Sequence, residues 1–227
     1  MNSETDETLR RYHCGLFIAV GYIPFTQKEA ENICTFSQED ERFSMARFST
    51  DAFDRINPLL AFACLPNMPA HHLSANLDLQ GEYLITYPGT AQLYLALSEA
   101  VERIQVGELS WALVGGVADQ CNFLVENHLN KAHPNREFLA PDAAAFMVLE
   151  SKDHAERRMK KPLGRLTAIK TEYHPKSPSD TKGRTLLDLG PADLPLKLGS
   201  FLSKGKRCFE HIHQTGNHLF FSRWEGI

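Results

Sequence analysis

The stretch Gly81–Gly116, GEYLITYPGTAQLYLALSEAVERIQVGELSWALVGG, constrains the fold more than any other part of this 227-residue chain. It reads as a strand, a sharp turn, a helix and a second strand with no insert between them. Tyr83–Tyr87 is a β-branched and aromatic run halted by Pro88-Gly89, the pattern of a buried strand that stops abruptly. From about Thr90 the apolar positions Leu93, Leu97, Ala100, Val101 and Ile104 recur at helical spacing, and Gly107 is placed to close the helix as its C′ residue. Trp111–Val114 is the next short strand, ending in Gly115-Gly116. A strand, a crossover helix and a parallel strand make a right-handed βαβ unit, which puts Thr90 at the positive end of the helix dipole.

The rest of the chain reads as support for that block. Cys14–Gly21, CGLFIAVG, is a continuous apolar strand of the kind buried on both faces. Phe25–Phe36 is expected to be helical, with Thr26 as N-cap and Glu29 completing a capping box. Asn57-Pro58 opens a helix through Cys64, with Pro58 at the tolerated first position. Asp119–Pro134 carries the stripe Phe123, Leu124 and Leu129 of a helix ending near Lys131. A strand at Ala144–Glu150, a short basic helix and a strand at Leu163–Thr171 follow. His174–Pro195 is rich in Pro, Ser, Asp and Gly, the composition of a linker or surface loop. Leu196–His213 reads as one amphipathic basic helix ahead of an aromatic end.

Composition narrows the function classes. With 43% apolar residues the chain can bury a sizeable core, and a net charge of −4 with a pI near 6.2 gives no general attraction to nucleic acid or anionic membranes. No apolar run approaches the ~20 residues needed to span a bilayer. Met1–Glu7 is acidic where a signal peptide would be basic and then apolar, so the expected location is the cytoplasm. Cys14, Cys34, Cys64, Cys121 and Cys208 are scattered without a C-x-x-C pair, which argues for reduced thiols.

The Gly81–Gly116 block resembles the nucleophile region of the β-ketoacyl synthases, condensing enzymes of thiolase fold. In that family a strand ends at the catalytic cysteine, an alanine-rich helix follows, and a G-(D/E)-x-x-x-A-L-x-G-G strand comes next. Gly81, Ala96, Ala100, Gly107-Glu108, Ala112-Leu113 and Gly115-Gly116 fall at the family spacing, and the cysteine position falls on Thr90. Asp142–Glu150, DAAAFMVLE, is similar to the family's E-G-A-G-x-x-V-L-E strand, with His154-Ala155 and Arg157-Arg158 behind it. Leu65-Pro66-Asn67 and Leu73–Gly81 resemble the helix that leads into the block, so the resemblance spans about residues 14–172. The family's first βαβ unit and its second thiolase half have no counterpart in the pattern.

The resemblance implies an α/β chain with a partial thiolase-like mixed sheet and flanking helices. It divides into a ketosynthase-like N-terminal-half domain over 1–172 and a Pro-rich linker with a basic, aromatic tail over 173–227. It implies a cysteine-less subunit similar to chain-length factors, which pairs with an active β-ketoacyl-ACP synthase in fatty acid or polyketide (aryl polyene) assembly and needs no cofactor. The partner would be a full-length β-ketoacyl synthase in a heterodimer, with acyl carrier protein reached through the complex. Tyr83, Leu84, Ile85, Thr86 and Tyr87 would pair across the twofold, since an uncovered apolar strand edge invites aggregation. Phe48, Phe53, Leu59, Leu60 and Phe62 are the candidates for shaping the partner's acyl tunnel, or else ordinary core. Arg157, Arg158, Lys160 and Lys161, with Arg165, are a solvated face or a docking patch for an acidic carrier protein.

A ketosynthase needs a thiolate at the helix N-terminus and two histidines for decarboxylation. Neither histidine segment is present, and Thr90 supplies only an alcohol, inert without a positioned base. Its hydroxyl reads as a helix cap. The alternative is a small acyl-thioester hydrolase or acyltransferase in which Thr90 works with His71 or His72. As a metal pair His71 and His72 are poor, because adjacent side chains on a helix diverge. His211, His213 and His218 read as a partly exposed tail.

Overall fold

The computed structural model describes residues 11–23, 26–132, 134, 137–174 and 186–227. The acidic N-terminal start, Phe25 and the proline-bearing run over 175–185 lie outside the described residues. Strands β1 (Cys14–Val20), β2 (Glu82–Thr86), β3 (Trp111–Ala118) and β4 (Ala143–Glu150) form a four-stranded sheet in the order β2-β1-β3-β4. β1 is parallel to both of its neighbours, and β4 is antiparallel to β3. Every residue of β1 is buried, as its unbroken apolar run requires of a central strand.

The central sheet shows two features that the sequence reading does not contain. β2 and β3 do not lie side by side, because β1 is inserted between them, with Gly15 opposite both Glu82 and Ala112. β1 is therefore hydrogen-bonded on both sides. β3 also runs through Gly115-Gly116 to Ala118 instead of ending there. Both glycines are enforced by packing: a Cβ on Gly116 would lie 2.3 Å from the Pro191 carbonyl, and one on Gly115 would lie 2.3 Å from the Ala145 oxygen.

Alternation along β1 divides the core between two faces. Phe17 and Ala19 pack with Ala112 and Val114 against helix α3 (Gln92–Gln105), whose Leu93, Ala96, Leu97 and Ala100 are buried at helical spacing. Leu16, Ile18 and Val20 face the other way, toward Ala70 and Leu73 of helix α2 (Met68–Leu77). Helix α1 (Gln27–Phe36) begins with the expected box: Thr26 Oγ1 accepts from Glu29 N, and Glu29 Oε2 accepts from Thr26 N. The helix expected over 57–64 contracts to Leu60–Ala63, after a turn in which Asn57 Oδ1 accepts from Leu59 N. Helix α4 (Phe123–Ala132) buries Val125 and Leu129, and Asn122 Oδ1 caps it by accepting from Leu124 N and Val125 N.

Residues 186–227 are not a tail. β5 (Gly164–Tyr173), β6 (Cys208–Thr215) and β7 (His218–Gly226) form an antiparallel three-stranded sheet in the order β6-β7-β5. Helix α5 (Lys152–Arg157) is the short basic helix expected after β4, and helix α6 (Asp193–Ser203) stops ten residues short of the single helix expected over 196–213, because β6 takes the rest. Leu194, Leu198, Phe201 and Trp224 join Phe17, Leu93 and Val114 in one core. From residue 186 onward the chain thus belongs to the same packed body as the Gly81–Gly116 block.

Candidate functional site at the Thr90 turn

β2 ends at Thr86, and the backbone must reverse before α3 can cross the sheet. Gly89 turns with φ +95, a conformation that disfavours side chains, and donates to Val20 O at 3.3 Å. Thr86 Oγ1 donates to Gln92 O at 2.9 Å, which fastens the strand end to the first residue of the helix. Gln92 N donates to Gly89 O and Leu93 N to Thr90 O, a tight lead-in turn. The residue at the helix N-cap is Ala91, and no side chain caps the helix. Thr90 is half-buried in the turn and its hydroxyl is not the cap that its position in the sequence suggested.

The C-terminal ends of the parallel strands bring several side chains to one place. Tyr22, just beyond β1, stacks at 5.2 Å on the ring of His128 from α4. Burial, then the neighbouring Tyr87 and Asp188, push its hydroxyl pKa up. Asp188 Oδ1 accepts from Gln120 Nε2 at 3.0 Å and from Gly190 N at 2.7 Å. Asp142 Oδ1 accepts from the Gln120 and Cys121 amides, which hold its carboxyl below the usual range. Asp119 beside it is pushed up, first by burial and then by the Asp142 charge.

Beneath the turn lies a buried polar chain that periodicity does not reveal. Tyr94, in the first turn of α3, is only 1% exposed, and its hydroxyl sits 2.5 Å from His211 Nδ1 and 3.3 Å from the His211 carbonyl. His211 Nε2 is 2.8 Å from Asp193 Oδ2, which also accepts from Lys197 Nζ at 2.8 Å. In the tautomer whose Nε2–H donates to the carboxylate, Nδ1 accepts from the Tyr94 hydroxyl. Burial pushes the Tyr94 hydroxyl pKa well up. Burial alone would raise Asp193, but hydrogen bonds from His211 and Lys197 and their charges outweigh it and hold the carboxyl below its ordinary value. His211 and His213 are thus not tail residues. Only the pairing of β6 with β7 over α6 shows this.

The other sequence-derived candidates separate. Tyr83 is 71% exposed, and β2 pairs with β1 alone among the described residues, so Tyr83–Tyr87 is an edge strand and not a buried one. Of the five tunnel candidates, Leu60 is core and Phe48 half-buried, whereas Phe53, Leu59 and Phe62 stand exposed. Arg158 pairs with Glu150, which also bonds the buried His154, and Arg165 pairs with Glu225; Arg157, Lys160 and Lys161 point outward. His71 and His72 have their rings 5.6 Å apart, and no hydrogen bond joins either to Thr90 among the described residues. A shallow hollow of about 480 Å³ between α1 and α4, lined by Gln27, Ala30, Cys34, Phe123, Glu126 and Asn130, does not include Thr90. No group of three or more metal-ligating side chains is placed to hold an ion among the described residues. No described helix is long and apolar enough to cross a membrane.

By sequence the chain matches no protein-family model and no curated protein. By structure it is similar to a number of solved chains. A type II polyketide synthase acyl-carrier protein in complex with its ketosynthase bound to the hexaketide gives a TM-score of 0.71 at 15% identity, over 95% of this chain and 76% of that one. The ishigamide ketosynthase/chain length factor gives 0.63 at 14% identity, over 95% of this chain and 73% of that one. A β-ketoacyl synthase from Burkholderia phymatum gives 0.67 at 12% identity, over 98% of this chain and 77% of that one. Matches of this extent run well past residue 172, in keeping with the shared core. The fold of this chain is the thiolase-like fold of the ketosynthases.

Proposed function

We propose that the chain is a non-catalytic, chain-length-factor-like subunit that pairs with an active β-ketoacyl-ACP synthase in polyketide or fatty acid assembly. The observation that carries this reading is the Thr90 turn. A strand, turn and helix matching the ketosynthase nucleophile block present an alcohol with no described hydrogen bond to a base. A turn without a base on a ketosynthase-like fold suits a subunit that supports chemistry elsewhere. The open edge of β2 and the exposed side chains of Phe53, Leu59 and Phe62 supply apolar surface for a partner. In this reading Tyr83–Tyr87 pair with the synthase, Phe53 and Phe62 reach its acyl tunnel, and Arg157, Lys160 and Lys161 face the carrier protein.

The test is co-expression with a β-ketoacyl synthase followed by size-exclusion chromatography and intact mass analysis after exposure to acyl-carrier thioesters. A 1:1 complex with no acyl adduct on this chain is expected. A monodisperse homodimer that ignores the synthase overturns the pairing, and lasting acylation at Thr90 makes the chain an acyl-thioester hydrolase or acyltransferase instead.

A further inference from the structure

Pairing in the second sheet brings two basic runs, distant in sequence, to one end of it. β5 starts at Gly164, β7 ends at Gly226 and β6 starts at Cys208, with Gly226 opposite Gly164 and Glu225 opposite Cys208. Gly226 N donates to Arg207 O at 3.0 Å and Ile227 N to Leu163 O at 3.3 Å, so the run 157–163 ahead of β5 and the run 204–207 ahead of β6 flank one strand end. With Arg165 these runs hold eight of the 24 Lys and Arg of a chain whose net charge is −4, and they contain no carboxylate. Glu150 engages Arg158, and Glu225 engages Arg165. Arg157, Lys160, Lys161, Lys204, Lys206 and Arg207 are exposed and form no ion pair among the described residues. The nearest carboxylates in sequence, Asp153 and Glu156, lie on α5, where Glu156 pairs with Lys152 at 3.7 Å.

Apolar side chains stand among these cations. Met159 is 91% exposed at a turn where its own backbone is left-handed, with φ +51, and Leu163 is 76% exposed. The whole run 156–163 is exposed, so both side chains project as tips. This end is also remote from the Thr90 turn. α6 begins at Asp193, which meets His211 and through it Tyr94, and its last turn brings Leu202 Cδ2 to 3.0 Å from where a Cβ on Gly164 would stand. The eleven residues of α6 separate the two ends by about 16 Å. The carrier contact proposed for Arg157, Lys160 and Lys161 makes no use of the run 204–207, whereas a broad cationic face with projecting apolar tips fits a layer of anionic headgroups.

We propose that this end of the second sheet is a peripheral docking face for an anionic bilayer, with the two basic runs on the headgroups and Met159 and Leu163 reaching into the boundary beneath them. The overall negative charge does not oppose this, because at physiological salt the attraction is set by charges within a Debye length of ~8 Å of the surface. Each Lys or Arg held near such headgroups strengthens binding roughly fivefold. The attachment is reversible, as polybasic contact with shallow apolar tips is weaker than a spanning helix. This inference is independent of any ketosynthase partner.

The test is flotation of the full chain with phosphatidylcholine vesicles, with and without about one-third phosphatidylserine. Flotation with the anionic vesicles alone is expected, falling steeply as salt is raised. Lys204→Gln/Lys206→Gln should weaken it roughly twentyfold at an unchanged melting temperature. In Leu163→Trp, indole emission should move to the blue on the anionic vesicles. Equal flotation with neutral vesicles, capture of an acidic carrier protein with no attachment to anionic vesicles, full affinity in Lys204→Gln/Lys206→Gln, or an unshifted indole on floated Leu163→Trp overturns the proposal.

Discussion

Gly116, near the C-terminal end of β3, stands so close to Pro191 that a Cβ on the glycine would fall 2.3 Å from the proline carbonyl. The contact joins the last strand of the Gly81–Gly116 block to the turn that launches α6. It ties a segment that composition marks as linker and tail to the centre of the fold. Gly116→Ala is therefore expected to destabilise the chain by about 1–3 kcal/mol, the usual cost of overpacking a closed site. Urea denaturation checks this, and a variant as stable as the parent would mean that Pro191 gives way freely.

Thr90→Ala is expected to change stability by no more than ~0.5 kcal/mol, because the hydroxyl caps no helix. Product formation by the synthase complex should be unaltered. A hundredfold loss of product with the protein still folded would show that Thr90 does chemistry.

Asp193→Asn removes the negative charge that His211 and Lys197 share, and at pH 7 it should cost about 1.5–3 kcal/mol. Because the Asp193 folded pKa is lowered, its contribution is complete above the ordinary carboxylate value and is lost as the pH falls through the folded one. The stability curves of parent and variant should therefore converge below pH ~4. A gap that stays constant down to pH 2 would rule out the Asp193 charge as the source of the effect.

Tyr83→Glu tests the edge without touching the core, since the side chain is largely exposed. The melting temperature should hold while co-elution with a β-ketoacyl synthase disappears, because a charge on the outer strand opposes edge pairing. Unchanged co-elution would place the interface elsewhere.

Phe62→Ala and Leu60→Ala should part company. Leu60 is buried, and its truncation should cost about 2–4 kcal/mol, whereas Phe62 is exposed and its truncation should leave stability unchanged while lengthening the product. An unaltered product profile with normal complex formation would remove Phe62 from the tunnel.

What the sequence determined by itself was local. The unbroken run of β1 announces a strand covered on both faces, the 3.6-residue rhythm of Leu93, Leu97 and Ala100 announces α3, and Thr26 with Glu29 announces a helix start. These signals survive because each is written within one or two turns of the backbone, and the strand, turn and helix around Thr90 are among them. The tertiary structure alone decided what depends on distant pairing. β1 slots between β2 and β3, which makes Tyr83–Tyr87 an edge, and no pattern within the block encodes that order. Tyr94 meets His211 across 117 residues and His211 meets Asp193 across 18, joining a tyrosine that no pattern marks to two residues that read as tail and linker in one buried chain. The physical reason is that burial of polar groups is settled by the partners they find, and those partners come together only when the second sheet docks on the first.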